Sequence, residues 1–97
     1  MGNCIFCKII KGEVPTKFEY QSENVAVFPD ANPRAEIHLL IVPKKHIPEF
    51  AALEPDDKDV WDEMVDQTKA LIKKFDLEDK GYRLAINGGG AALVNHL

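Results

Sequence analysis

The sequence predicts an α+β domain with a mainly antiparallel sheet, one short N-terminal helix and one long helix. Three observations predict it. Short β-rich runs lie between clusters of turn residues, which marks hairpins. One 21-residue stretch repeats its apolar residues with a period near 3.6, which marks a helix. The order helix, hairpin, strand, long helix, strand lacks the regular β-α-β rhythm that a parallel sheet needs.

The first element spans Cys4 to Lys11, where Ile5, Phe6, Ile9 and Ile10 fall at helical spacing. Asn3 is suited to the N-cap, Gly12 to the stop, and Pro15 forbids continuation. Phe18 to Gln21 and Val25 to Phe28 read as strands of a hairpin joined by Ser22, Glu23 and Asn24. Pro29 and Pro33, with Asp30 and Asn32 between them, mark a loop. Ile37 to Val42 is almost continuously apolar, as in a strand buried on both faces, and Pro43 closes it.

Pro55 to Phe75 is the longest element, with Val60, Trp61, Met64, Val65, Thr68, Leu71, Ile72 and Phe75 on one stripe. Asp56, Asp57 and Asp59 crowd its start and Lys73 with Lys74 its end, both favourable to the helix dipole. Its Trp and Met read as core anchors. Tyr82 to Ile86 reads as a strand, followed by Gly88, Gly89 and Gly90 and a last apolar stretch from Ala91 to Leu97. Leu93 and Val94 read as the start of one further strand.

The 97 residues form one small domain, residues 1–97, with 45% hydrophobic and 29% charged residues. A chain of this size buries only about two-thirds of its unfolded surface, so its stability is marginal. The net charge of −4 argues against binding nucleic acid in bulk, which needs a basic face. It leaves room for a small phosphorylated ligand, held by local backbone donors. No apolar run reaches the roughly 18 residues of a membrane span, and no signal-peptide core precedes the domain, so a cytoplasmic protein without membrane contact is expected. Cys4 and Cys7 are the only cysteines, and in a reducing compartment such a C-x-x-C suits metal or redox chemistry better than a structural disulfide.

Four signals follow one another along the chain. They are Cys4-Ile5-Phe6-Cys7-Lys8-Ile9-Ile10, then Val25-Ala26-Val27-Phe28-Pro29-Asp30, then Pro33 to His46 with His38 inside it, and last Tyr82-Arg83-Leu84-Ala85-Ile86-Asn87-Gly88. Together they resemble the histidine-triad (HIT) family of nucleotide hydrolases and transferases, over essentially the whole chain. The family's terminal His-φ-His-φ-His-φ-φ motif (φ apolar) is matched only by His96 and Leu97. No residue of 1–97 occupies the position of the second His, the family's nucleophile. The resemblance therefore implies a sheet of about five strands whose last strand is missing or incomplete here, and a chain that lacks the nucleophile. Ala92 stands where relatives carry Gln, and the segment after Asn87 is shorter than in many of them.

In the intact family, the resemblance implies, a neutral imidazole attacks the α-phosphorus of a nucleotide and water then cleaves the nucleotidyl-histidine. Imidazole suits this because it is nucleophilic while uncharged near neutral pH. By the same resemblance, His38 supports the hydrogen-bond network beneath the triad, and His96 is the first triad histidine. On the residues alone, His38 reads equally as a strand histidine satisfied by a carbonyl. Asp30 is implied to accept from the ribose hydroxyls, which a two-oxygen acceptor suits; the plainer reading is a loop cap. Phe28 is implied to line the base pocket, although a half-buried strand Phe explains itself. Asn87, Gly88, Gly89 and Gly90 resemble the phosphate-side loop; three glycines alone more often make a flexible turn.

Some bacterial members hold a structural zinc, and the matching positions here are Cys4, Cys7, His46 and His96. This Cys₂His₂ set suits a closed tetrahedral site; the plainer reading is two reduced thiols and surface histidines. The resemblance also implies a purine nucleotide partner (AMP- or GMP-like) and a homodimer. Two functions are thus in view: a phosphoramidase or dinucleotide hydrolase, or a zinc-stabilised nucleotide-binding or dimerisation module without turnover.

Overall fold

The computed structural model describes residues 5–30, 36–48 and 50–86. Helix α1 covers Ile5–Ile10. It stops where Gly12 turns to a φ of +82°, the left-handed conformation that glycine takes without a Cβ clash. The Gly12 N–H donates to Ile9 O and the Glu13 N–H to Lys8 O, a Schellman closure that satisfies the last carbonyls.

Strands β1 (Tyr20–Gln21), β2 (Val25–Pro29) and β3 (Leu39–Pro43) follow. They form an antiparallel sheet in the order β1-β2-β3. The hairpin is as expected, although its first strand is shorter, beginning at Tyr20 instead of Phe18. Ser22 Oγ closes its turn by accepting from the backbone N–H groups of Asn24 and Val25.

The strand buried on both faces is β2, not β3. Val25, Ala26, Val27 and Phe28 are all at or below 2% exposure, whereas Leu39, Leu40 and Ile41 are half-buried. The reason is position: β2 is central, while β3 lies at the edge among the described residues.

Period-2 alternation divides the sheet's side chains between two helices. Val25 and Val27 pack with Met64 and Leu71, joined by Tyr20, Leu39, Ile41, Val60, Trp61 and Phe75. Ala26, Phe28 and Val42 pack against Phe6, Ile9, Ile10, Phe18 and Leu40. One face is thus covered by the long helix α2 (Lys58–Lys74) and the other by α1.

The long helix departs from expectation at its start. Pro55–Asp57 is a 3-10 turn, and regular α-helix begins at Lys58. Val65 was placed on the apolar stripe but is exposed, because the buried line runs through Met64 and Leu71 and leaves Val65 on the flank. After Phe75 caps α2, Asp76 takes a positive φ of 54° and a short helix α3 (Leu77–Lys80) follows, unforeseen from the sequence. A further 3-10 turn covers Phe50–Ala52.

Residues 82–86 are not a strand. Alternating β-formers supply propensity, but a strand exists only where a partner accepts its hydrogen bonds. Among the described residues β3 pairs with β2 alone, and Tyr82, Leu84 and Ile86 are exposed. The anticipated strand at Leu93 and Val94 lies outside the described residues. None of the described helices is long and apolar enough to cross a membrane.

Candidate functional site

The β2–β3 ladder determines where Asp30 and His38 stand. Its register pairs Val25 with Pro43 and ends with Pro29 opposite Leu39. One step further along the same register places Asp30 opposite His38, and the Asp30 N–H donates to His38 O at 3.0 Å. Directly opposed residues project to the same side of a sheet. Here that brings His38 Nε2 to 3.4 Å from Asp30 Oδ2, with the two side chains 30% and 28% exposed.

Beside this pair lies a shallow cleft of about 260 Å³ lined by Pro29, Asp30, Glu36, Ile37, His38, Leu39 and Phe75. The two candidates from the central motif therefore meet at one rim. Phe75 was legible only as the last residue of the helix stripe, and Glu36 was not singled out at all. Counting the ladder outward from Pro43 would have found the Asp30–His38 pairing.

Phe28 is not among the residues that line this cleft and is only 2% exposed inside the α1-side cluster. Phe6 and Phe18 set their rings edge-on to it, with centroids 5.9 and 6.0 Å away. It is an anchor of the layer beneath α1. Asn87, Gly88, Gly89, Gly90 and His96 lie outside the described residues, as does Cys4.

A second cluster joins α1 to the segment after β3. Cys7 Sγ and His46 Nδ1 are 3.2 Å apart, and both side chains are partly buried. Two ligands of one tetrahedral zinc, at about 2.3 Å (S) and 2.05 Å (N), lie about 3.5 Å from each other. The pair fits that spacing to within a small rotation of the imidazole. Among the described residues no three metal-ligating side chains come together.

The segment that carries His46 is held from three sides. The Lys44 N–H donates to Asn24 O at 2.8 Å, Ile47 is 2% exposed, and Lys45 Nζ reaches Asp57 Oδ1 at 2.7 Å. Asp57 is the buried charged residue of the described chain, and its Oδ2 accepts from the Glu54 N–H at 3.0 Å. The Lys45 ammonium, and then the Glu54 N–H, hold this carboxyl below its ordinary value. The same hydrogen bond raises Lys45. From the sequence Asp57 read as a dipole residue of the helix start, without its partner twelve positions away.

Comparison with known proteins adds a third line. Residues 3–96 match the family described as the C-terminal binding region of the scavenger mRNA decapping enzyme. An uncharacterised HIT-like protein of Methanocaldococcus jannaschii is 42% identical over 96 residues, covering 97% of this chain and 73% of that one. The crystal structure of a HIT family hydrolase from Legionella pneumophila superposes with a TM-score of 0.87 at 38% identity, covering 97% of this chain and 86% of the other. A histidine triad nucleotide-binding protein from Candida albicans superposes with a TM-score of 0.82 at 30% identity, over 97% of this chain and 69% of its own.

Proposed function

Since the chain belongs to the histidine-triad family, we propose that it is a nucleotide-binding protein whose cleft beside Asp30 and His38 receives a purine nucleoside monophosphate such as AMP or GMP. The observation that carries this is the meeting of Asp30 and His38 at one cleft rim, on a fold shared with a relative named as nucleotide-binding. Asp30 accepts from the ribose hydroxyls. Asn87 and Gly88 to Gly90 supply donors on the phosphate side.

The parent reaction in this proposal is hydrolysis of nucleoside phosphoramidates or dinucleotides through a nucleotidyl-histidine. Attack of an imidazole nitrogen on the α-phosphorus forms the N–P bond and breaks the bond to the leaving amine or nucleotide, which takes up a proton. Water then breaks the N–P bond. Residues 1–97 hold the nucleoside, with His96 as the first triad position. Calorimetric titration with AMP and GMP tests the binding step. Saturable binding that is lost in Asp30→Ala is expected, and absence of heat with both nucleotides would sink the reading.

A second reading rests on a different observation, the Cys7–His46 spacing. In it Cys4, Cys7, His46 and His96 hold a zinc ion that ties α1 to the C-terminal segment and takes no part in the chemistry, and the module binds nucleotide or a second copy without turnover. Zinc supplies folding energy in such closed sites. One equivalent of zinc, released by His46→Ala together with a fall in Tm, is expected from metal analysis. A homodimer belongs to the same proposal, and the exposed Tyr82, Leu84 and Ile86 give it apolar surface to cover. Sedimentation equilibrium measures it.

A further inference from the structure

We propose that the groove between the Phe50 turn and the start of α2 docks one arginine side chain, presented by a flexible basic segment of a partner protein. It shares no described lining residue with the cleft beside Asp30 and His38, so it is independent of the nucleotide reading.

The groove follows from how the chain enters α2. Phe50–Ala52 and Pro55–Asp57 are successive 3-10 turns, and they lay Phe50, Leu53 and Glu54 alongside Lys58 and Trp61 of the helix. Trp61 is half-buried and packs on the core cluster around Val25 and Val27. It also meets Phe50, with ring centroids 5.4 Å apart and planes inclined at 68°. Two rings so inclined form the walls of an apolar corner, and Phe50 is 49% exposed.

Size and charge select the occupant. The groove holds about 180 Å³, below the roughly 300 Å³ at which small-molecule pockets begin, so it takes one long side chain. Its two nearby ammonium groups already have carboxylate partners. Lys45 Nζ lies 2.7 Å from Asp57 Oδ1, and Lys58 Nζ lies 2.6 Å from Asp62 Oδ2. After those partners, Glu54 and Asp56 also help to raise Lys45, and Asp59 helps to raise Lys58. Three further carboxylates therefore surround the groove and leave its rim negative.

An anion is repelled by that rim, and a purely apolar side chain gains nothing from it. A guanidinium uses both parts of the site. Its flat face stacks on Trp61 or Phe50, where the ring quadrupole attracts a cation. Its in-plane N–H groups donate to the Glu54 carboxylate, and its methylene stem covers Leu53. A lysine ammonium lacks the flat face and is more strongly hydrated, so it suits the corner less well.

Trp61 is the chain's one tryptophan, so its fluorescence and its indole N–H resonance report on this groove. The experiment titrates the full chain with the peptide acetyl-Gly-Ser-Arg-Ser-Gly-amide, and with versions carrying Lys, Leu or the uncharged isostere citrulline in place of Arg. Arg is expected to bind roughly 3- to 10-fold more tightly than citrulline, with Lys between them, and to shift the indole resonance. Phe50→Ala should remove most of that preference, and Glu54→Gln should reduce it roughly 2- to 3-fold. Glu54→Gln leaves the apolar corner whole, and the Arg-to-citrulline comparison in the wild type needs no variant at all. Equal affinity for Arg and citrulline overturns the proposal, as does tighter binding of the Leu peptide. Arg binding that leaves the indole unmoved, or that persists unchanged in both variants, places the contact elsewhere and overturns it too.

Discussion

The two faces of the sheet are built on different terms. On one, the seventeen-residue α2 lays Met64 and Leu71 onto Val25 and Val27, and Asp57 fastens its start to Lys45. On the other, the six-residue α1 buries none of its residues fully and depends on aromatic edges around Phe28 and on the Cys7–His46 contact. A helix of six residues has no stability of its own in water, so α1 exists by its tertiary contacts. The first face carries the fold, and the second is held by fewer and less buried contacts. Sites that respond to ligands belong to the less stable parts of a molecule.

The widest separation between the faces should come from truncating their apolar contacts. Leu71→Ala removes a buried side chain under α2 and should cost about 2–5 kcal/mol, read as a lower denaturant midpoint at unchanged slope. Ile9→Ala, at a half-buried position under α1, should cost less than about 2 kcal/mol. If Ile9→Ala costs as much as Leu71→Ala, the asymmetry between the faces is wrong.

Next in size is the ion pair at the start of α2. Asp57→Asn keeps an acceptor for the Glu54 N–H but removes the charge facing Lys45, and should lower Tm by roughly 4–8 °C near neutral pH. The pH dependence has two limbs. Asp57 is depressed below its ordinary 3.8, so its contribution is full above that value and is lost as pH falls through the lower folded value. Lys45 is raised above 10.5, so its contribution is full below that value and is lost as pH rises through the higher folded one. The gap in Tm between wild type and Asp57→Asn should therefore be widest between about pH 5 and 9 and close at both ends. A gap that stays constant into acid would show that Asp57 acts by packing and not by charge.

How far the sequence could be read follows the same division. Period and punctuation announce whatever is local: Gly12 ends α1, Ser22 to Asn24 turn the hairpin, and the Met64–Leu71 line faces the core. Pairings between distant positions leave no such mark. Asp30 and His38 were each singled out by motif, but their contact is a consequence of register, which becomes known only once β2 and β3 are aligned. Asp57 was legible as an N-terminal acid, and its bond to Lys45 depends on where the chain returns after Pro43. Residues 82–86 fail in the opposite direction, since a good strand pattern has no partner among the described residues. Cys7 and His46 were expected together through resemblance alone, and the structure brings these two members of that set to 3.2 Å.

The smallest effect tests whether α2 also fastens the hairpin turn. Glu63, on α2, accepts from the Tyr20 hydroxyl at 2.9 Å and from the Ser22 hydroxyl, while Ser22 Oγ closes the turn by accepting from Asn24 and Val25. The Ser22 bond first, and the Tyr20 bond after it, hold the Glu63 carboxyl below its ordinary 4.5. Glu63→Gln preserves shape and one acceptor but gives up the charge that strengthens both bonds. A fall in Tm of roughly 2–4 °C is expected at neutral pH, shrinking as pH falls below the ordinary 4.5 and gone once it has passed through the lower folded value, where wild-type Glu63 itself loses its charge. Amide exchange separates this clamp from the rest. Asn24 and Val25 should exchange faster in the variant, while the amides of Lys11 and Gly12, which close α1 on the opposite face, should keep their wild-type rates. If those rise as well, the two faces are one cooperative unit, and the contrast between a rigid face and a responsive one fails.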